Sequence, residues 1–592
     1  MKKISYAFLL LLMMSACQSK TQKEMSDDSS KLITKLFDSY YEERLTFFPL
    51  EATAIADTRY NDQLPADISD SYRAKLKVFY QKYLDSVVTF DRSKLKGQDV
   101  LSYDVFKREM QMQIEGLSFK DNLMPINQFW SMNLTFPVLG SGGGNQPFKT
   151  VKDYDNFLKR ITAFVSYEDT CISNMRRGME QGITPPKILM QKVLPQLEGI
   201  IVTDPKTSVF YDPLKNIPST FSDVDKNRLT EAYTKAIKEE IVPTYSKLHA
   251  FIKDEYIPKC RETAGISNIP NGKEYYNYEA RLWTTTDLTP DQIFNIGEKE
   301  VTRIKSEMER IKDETGFKGD LKAFIEFIHT NKLFMPYKTD DEVIEAYRAI
   351  GRRMQPQLTK LFNLVPKAKF EVRQTEKFRE ASSSAEYNQS APDGSRPGIF
   401  YVPVLDPTKF NVVGMEDLFL HEAIPGHHYQ TSIQQENEAL PKFRRFGWYG
   451  AYGEGWALYT ESLGKELGLY TDPYQYFGSL SEEMHRAIRL VVDVGMHTKG
   501  WTREQAINYS LDKDAEGLGD ITSEVERYMA IPGQALAYKI GQMKIIEIRK
   551  RAETTLGNKF SIQHFHDEVL KDGCLPLDVF ENKMNDWIKS QQ

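Results

Sequence analysis

The sequence of 592 residues contains only four cysteines, which limits the cross-links and sites that it can form. Apart from Cys17 they are Cys171, Cys260 and Cys574, which lie far apart in the chain. So few and scattered thiols cannot build a disulfide framework or a thiolate metal site, and at most one disulfide could form among them. We therefore expect packing to stabilise the fold, and histidine and carboxylate side chains to hold any metal.

Two signatures of nucleotide chemistry are also missing. Lysine and arginine are dispersed and the net charge is −6, so the basic stripe of a nucleic-acid binder is absent. The glycine run at 142–144 is not followed by the Lys-Ser or Lys-Thr of a phosphate-binding loop. We expect neither nucleic acid nor nucleotide as a partner. With 41% hydrophobic and 27% charged residues, the composition is that of a globular protein, which argues against a multi-pass membrane protein.

No long hydrophobic run is present at the N-terminus, because the apolar segment 4–14 is shorter than the roughly 17 residues that span a bilayer. Two lysines precede it and Cys17 follows two small residues, a pattern typical of secretory signal peptides. The segment resembles a bacterial lipobox, which implies a signal peptide over 1–16 and a lipid on Cys17; a plain signal peptide is the alternative. The polar stretch 17–30 then predicts a flexible tether. We expect a cell-envelope protein attached to a bacterial membrane, periplasmic or surface-facing.

Most of the chain carries apolar residues at three- and four-residue spacing, which predicts a mainly α fold. An example is the stretch 289–304, which opens with the capping signal Thr289-Pro290-Asp291. The length exceeds the roughly 250–300 residues at which a single core stops growing. We therefore expect two lobes, an N-terminal helical lobe over 31–270 and a second lobe over 271–592.

Three of the nine histidines lie within eight residues, and the first of them is followed at once by Glu422. In the familiar zinc-protease pattern, two histidines four residues apart bind the metal and the adjacent glutamate activates water. Here Pro425 occupies the position four residues after His421. On an unbroken helix, His427 would lie about 240° around from His421 and His428 about 10 Å further along the axis, so neither would be a comfortable partner.

The Pro425-Gly426 pair predicts a bulge or break of the helix at this point. Proline lacks the N–H and clashes with the preceding turn, and glycine adopts backbone angles that other residues avoid. If the two residues loop out, His427 takes the place of the second metal-binding histidine. We therefore favour His427 as the ligand, with His428 as the alternate.

Two segments resemble a known family. His421–Gln430, read as HEAIPGHHYQ, and Gly453–Glu461, read as GEGWALYTE, are similar to the family named domain of unknown function 885 (DUF885), bacterial proteins grouped with the gluzincin metallopeptidases. The first motif is specific, and the others taken singly are not. Weaker support comes from three further segments, which are Asp393–Gly398, Arg489–His497 and Arg527–Ala535.

The resemblance implies a large helical gluzincin-like fold in which a glutamate on a later helix is the third metal ligand. Glu454, in Gly-Glu-Gly-Trp-Ala, matches that position. Glu461 lies two helical turns further along the same face, and is either a hydrogen-bond partner of a ligand or the ligand itself.

The implied chemistry is that of one Zn²⁺ per chain, held by two histidines and a glutamate, with a fourth position left for water. The ligand types favour zinc over manganese or iron. Glu422 would take a proton from the water and return it to the leaving amine. Candidate donors to the developing oxyanion are Tyr528, His497 and Arg527. Tyr528 and Arg527 are alternatively a core residue and its surface neighbour.

His485, Arg489, Asp493 and His497 recur every four residues and are expected on one helix face. That face either lines a cleft or forms a polar ladder between helices. Short β-branched and aromatic runs at 370–373 and 399–404 predict strands, and hence a small sheet beside the histidine segment. The second strand could bind an extended substrate by strand addition.

The sequence thus predicts a zinc-dependent peptide hydrolase in the envelope, with exo- or endopeptidase action left open. Its rivals are a metal-dependent hydrolase of another amide or ester, and a non-catalytic metal-containing lipoprotein that binds solutes. Glu422 argues against the last, because a pure binding site needs no general base.

Overall fold

The computed structural model describes residues 29–592 except 378–379, 381–383, 393 and 395. The predicted signal peptide, Cys17 and most of the predicted tether lie outside the described residues. Residues 29 and 30, at the end of the predicted tether, already belong to the first helix.

Helices make up 68% of the structure, which confirms the predicted mainly α fold. None of the helices in the described part of the chain is long and apolar enough to cross a membrane. The first half contains α1 (29–47), α2 (Pro49–Ala54), α3 (Asp70–Val87), α4 (Gln98–Gly116), α5 (Met132–Gly140), α6 (Val151–Gln181), α7 (Lys187–Glu198), α8 (Asp212–Lys215), α9 (Asp223–Ala236) and α10 (Val242–Phe251).

The second half carries the longer central helices and the histidine segment. Its helices are α11 (Gly272–Thr284), α12 (Pro290–Glu314), α13 (Leu321–Thr330), α14 (Asp340–Met354), α15 (Met415–Glu422), α16 (His427–Glu436), α17 (Lys442–Arg445), α18 (Gly450–Glu461), α19 (Pro473–Thr498), α20 (Arg503–Leu511), α21 (Leu518–Ala530), α22 (Ala537–Leu556), α23 (Ile562–Leu570) and α24 (Leu577–Gln591).

Local sequence explains where these helices begin. In α12, the Thr289 hydroxyl accepts a hydrogen bond from the Gln292 backbone N–H, and the Gln292 side chain accepts one from the Thr289 N–H. This capping box satisfies two donors that the first turn leaves without partners, and confirms the predicted start of the helix. The buried face of α12, which includes Ile293 and Ile304, packs along α19.

A close approach of α18 and α22 fixes the helix that carries Glu454 and Glu461. A Cβ on Gly455 would lie 2.5 Å from the Cα of Gly541, and one on Gly541 would lie 1.8 Å from the carbonyl oxygen of Ala451. Larger residues at either position would therefore push the two backbones apart. The two glycines place α18 against the interior of the molecule.

The predicted small sheet is present and has three strands, β1 (Phe370–Gln374), β2 (Glu386–Asn388) and β3 (Gly398–Val402). Their order is β1-β3-β2, with β1 parallel and β2 antiparallel to β3. The prediction that the strand near 399–404 binds substrate by strand addition is wrong, because β3 is the central strand and both of its edges are paired. β2 is an edge strand.

Buried apolar side chains connect both halves of the chain. One cluster contains Phe164 of α6 and Tyr245 of α10 together with Met308 of α12 and Met484 of α19. The division into lobes near residue 270 stays a prediction.

Candidate metal centre

The histidine segment folds as two helices with a break at the Pro-Gly pair, as predicted. α15 ends at Glu422 and α16 begins at His427. A Cβ on Gly426 would lie 2.0 Å from the carbonyl oxygen of His421, so only glycine fits there. The buried Trp456 of α18 donates its indole N–H to the Pro425 carbonyl at 2.9 Å. The break thus brings the second histidine back to the first.

His421, His427 and Glu454 each present one ligand atom, and these atoms all lie within 4.8 Å of one another. The Nε2 atoms of His421 and His427 are each 3.6 Å from Glu454 Oε2. Two ligands about 2.1 Å from a tetrahedral zinc ion are about 3.4 Å apart, so these spacings suit zinc with small adjustments. Two imidazole nitrogens and a carboxylate oxygen form a donor set that fits Zn²⁺.

The charges around these side chains also favour a cation. Burial raises the pKa of the Glu454 carboxyl, but its contacts with His421 and His427 outweigh burial and hold the pKa well below the usual range. Burial lowers the pKa of His421, whereas Glu454 and Glu461 raise it, and the net pKa is well above its usual value. Positive charge between the two imidazoles and the carboxylates is therefore stabilised.

Glu461 lies on the far side of the His421 ring from Glu454. Its Oε1 accepts a hydrogen bond from His421 Nδ1 at 2.6 Å, and its side chain is 2% exposed. This bond fixes the ring so that Nε2 points towards Glu454. Glu461 is therefore a hydrogen-bond partner of His421 and does not belong to the group of three side chains that could hold a metal ion.

His428, the alternate to His427, points towards the sheet. Its Nδ1 is hydrogen-bonded to the Tyr387 hydroxyl of β2 at 2.9 Å and lies 3.4 Å from the Ser432 hydroxyl. Burial lowers its pKa to about 4. His428 therefore links α16 to the sheet.

Glu422 lines a cleft of about 700 Å³ together with His421, His427 and Glu454. β2 contributes to the wall, and Trp448 lies against the His427 ring with 5.9 Å between the ring centroids. Other helices supply charged and aromatic side chains, which are Arg486, Arg489, Glu524, Arg527 and Tyr538.

Of the predicted oxyanion donors, Arg527 lies in the cleft wall. Tyr528, the next residue, is buried behind it: its hydroxyl donates to Glu524 Oε2 at 2.7 Å and accepts from Arg489 Nε at 3.1 Å. Tyr528 is therefore placed to hold Arg489 and Glu524 rather than to contact the cleft.

His497 lies in the last turn of α19, away from the cleft. Its Nδ1 accepts from the Ile266 N–H at 2.9 Å and its Nε2 donates to the Tyr528 carbonyl at 3.0 Å. Burial lowers its pKa to about 3. With both nitrogens bonded to main chain, the imidazole has no atom left for a substrate.

The residues that recur every four positions along α19 do share a face, but only part of it reaches the cleft. Arg489 lines the cleft, whereas Asp493 accepts from the Gly533 N–H at 3.2 Å and His485 Nδ1 bonds Asp514 at 2.6 Å. The rest of this face, with His497, is a polar ladder between helices.

Sequence reasoning missed Tyr538 at the start of α22. Its ring lies under the Arg489 guanidinium, 4.6 Å from the ring centroid, and its hydroxyl accepts from Arg527 Nη2 at 3.4 Å. No spacing pattern marks this residue, because only the packing of α22 against α19 and α21 brings it to the cleft.

Comparisons with known proteins agree with this architecture. A search of curated proteins found no match. Two solved structures of putative lipoproteins are similar. That from Colwellia psychrerythraea is 26% identical with a TM-score of 0.87, covering 95% of this chain and 99% of that chain. That from Shewanella oneidensis, of unknown function, is 19% identical with a TM-score of 0.74, covering 93% and 99%, and shows likeness of fold. The profile of the bacterial proteins of unknown function called DUF885 matches residues 49–584, and the chain belongs to that family.

Proposed function

We propose that the protein is a zinc-dependent peptide hydrolase. The observation that carries the proposal is the convergence of His421, His427 and Glu454 beside Glu422 in a large cleft. A site that only binds metal or solute needs no carboxylate base next to its first ligand. The hydrogen bond that His421 donates to Glu461 also supports a preorganised metal site.

Zinc, when bound here, supplies a Lewis acid that polarises a carbonyl and lowers the pKa of water towards about 7. Glu422 takes the proton of the attacking water and delivers it to the leaving amine. The water oxygen joins the carbonyl carbon as the C–N bond breaks, so one new carboxyl and one new amine result. We assign Tyr538, which lines the same cleft, as the donor to the developing negative charge.

The edge strand β2 favours a peptide over a small amide or ester as the substrate. Residues 386–388 lie in the cleft wall, at the edge of the sheet. An edge strand can align an extended chain by main-chain hydrogen bonds.

We also propose that the enzyme is anchored in the cell envelope by a lipid on Cys17. The lysines, short apolar segment and small residues before Cys17 support this. So does the likeness to solved proteins that carry the name of lipoproteins. Labelling with a radioactive fatty acid, compared between wild type and Cys17→Ala, tests the anchor.

Turnover of a mixed peptide library tests the activity. Zinc-loaded wild type should cleave, a chelator should abolish cleavage, and added zinc should restore it. Glu422→Gln should keep zinc and lose turnover, whereas the matched control Glu438→Gln, whose side chain is 85% exposed, should cleave normally. Full turnover by Glu422→Gln, or cleavage of esters alone, would contradict the proposal.

A further inference from the structure

Two arginines in the cleft wall lie within reach of one carboxylate. Arg489 of α19 donates Nη2 to Glu524 Oε2 at 2.9 Å, and Arg527 of α21 donates Nη1 to Glu524 Oε1 at 3.1 Å. A third, Arg486, pairs with Glu482. His485 Nε2, 3.5 Å from Glu524, has its other nitrogen on Asp514. Two guanidinium groups thus share a single carboxylate, which leaves one positive charge in excess.

Both arginines keep a donor without a partner. Arg489 is 5% exposed; its Nε bonds Tyr528 and its Nη2 bonds Glu524, but Nη1 has no hydrogen-bond partner among the described residues. In Arg527, Nη2 bonds Gln534 at 2.7 Å, and Nε has no partner in the described part of the chain. Buried donors are nearly always paired in native proteins, so each guanidinium has hydrogen-bonding capacity that its protein contacts leave unused.

The guanidinium groups are also held in place before any ligand arrives. Arg489 stacks on the Tyr538 ring at 4.6 Å, and Arg527 on the Phe129 ring at 5.1 Å. A planar guanidinium fixed by stacking loses little further freedom when it binds, and its fork matches a carboxylate. A single excess charge balances a monoanion such as a carboxylate better than a phosphate dianion.

We infer that Arg489 and Arg527 bind the free C-terminal carboxylate of the peptide substrate. The inference rests on the proposed function, since the same cleft holds the proposed zinc ligands and Glu422. A C-terminal carboxylate is the one anion that peptides of every sequence carry at that end. The enzyme is then of the carboxypeptidase type: water adds its oxygen to the scissile carbonyl carbon, and the released C-terminal fragment leaves with the proton on its amine and its carboxylate on the arginines.

Binding to zinc-loaded Glu422→Gln, measured by calorimetry, tests this without turnover. The probes are one neutral peptide as the free acid, the same peptide as the C-terminal amide, the N-acetylated free acid, and the amide with an internal glutamate. We expect the amide to bind about tenfold to a hundredfold more weakly than the acid, the range of a hydrogen bond to a charged group. N-acetylation should leave the affinity of the free acid unchanged, and the internal glutamate should not restore the affinity of the amide. Inorganic phosphate should compete only weakly with the free acid.

Arg527→Gln should shrink the preference for the acid, and so should Arg489→Lys, which keeps the charge but loses the fork. Arg551→Gln, a control on α22 whose side chain is 33% exposed and pairs with Glu581, should keep the preference. Zinc content verifies that each variant is folded.

Equal binding of acid and amide, or binding of neither, overturns the inference. Wild-type turnover of both peptides at equal rates also overturns it and leaves the peptidase proposal standing. Acid-selective binding without any wild-type turnover supports the carboxylate site and refutes the peptidase proposal.

Discussion

Removing the charge of Glu461 should weaken zinc binding although this residue is not expected to touch the metal. Its carboxylate accepts from His421 Nδ1 at 2.6 Å and is 2% exposed, so water cannot replace it. A bond to a charged group contributes about 1.5–3 kcal/mol, and partners of this kind change metal affinity by about 10–100-fold. The zinc affinity of Glu461→Gln, whose amide oxygen can still accept a hydrogen bond, should fall about tenfold, and that of Glu461→Ala about a hundredfold.

Competition between the protein and a fluorescent zinc chelator measures these affinities. Glu466→Gln is the matched control, because Glu466 is 40% exposed and bonds Arg549 rather than a histidine. Affinity that changes by less than about threefold in both Glu461 variants would refute the reasoning, since the range expected is about 10–100-fold. Complete loss of zinc in Glu461→Gln with normal zinc in Glu454→Gln would make Glu461 the ligand.

Three further predictions concern residues around and away from the site. His428→Gln should keep zinc but lose about 1–3 kcal/mol of stability in urea unfolding, because its bond to Tyr387 is lost. Gly426→Ala should lose both stability and zinc content, because its Cβ would lie 2.0 Å from the His421 carbonyl oxygen. Burial raises the pKa of Glu168 from 4.5 to about 8 in the folded protein. Between these pH values Glu168 is ionised in the unfolded chain but protonated in the folded one, so the free energy of unfolding falls as the pH rises. The free energy of unfolding of Glu168→Gln, relative to that of wild type, should increase by about 1.4 kcal/mol per pH unit between about pH 5 and pH 8.

Each of the three has an opposite outcome. An emptied metal site in His428→Gln would place that histidine among the ligands. Full zinc content in Gly426→Ala would show that the break tolerates a side chain. Parallel stability curves for wild type and Glu168→Gln across this pH range would mean that the carboxyl is already charged in the folded protein.

Local sequence signals were enough to predict the mainly helical fold and the break. The spacing of apolar residues and the Thr289 cap predict α12, and the chemistry of Pro425 and Gly426 predicts the end of α15. The three-residue strand β2 was not foreseen, because its pairing depends on a partner strand rather than on its own composition.

The cleft shows where such reasoning stops. Helical periodicity correctly puts Arg489 and His497 on one face of α19, but they lie two turns apart. Arg489 lines the cleft, whereas both ring nitrogens of His497 bond to main chain. Tyr538 and the pairing of Arg489 with Arg527 arise from the packing of three helices, which no single segment encodes. Only the close neighbours in the chain, His421, Glu422 and His427, carry a local signal.

The central claim is tested most directly by anomalous diffraction at the zinc edge from crystals of the protein grown with zinc. We expect a single strong peak about 2.0–2.2 Å from His421 Nε2, His427 Nε2 and a Glu454 carboxylate oxygen. No peak there, or a peak bound by His428 or Glu461 instead, would contradict the account.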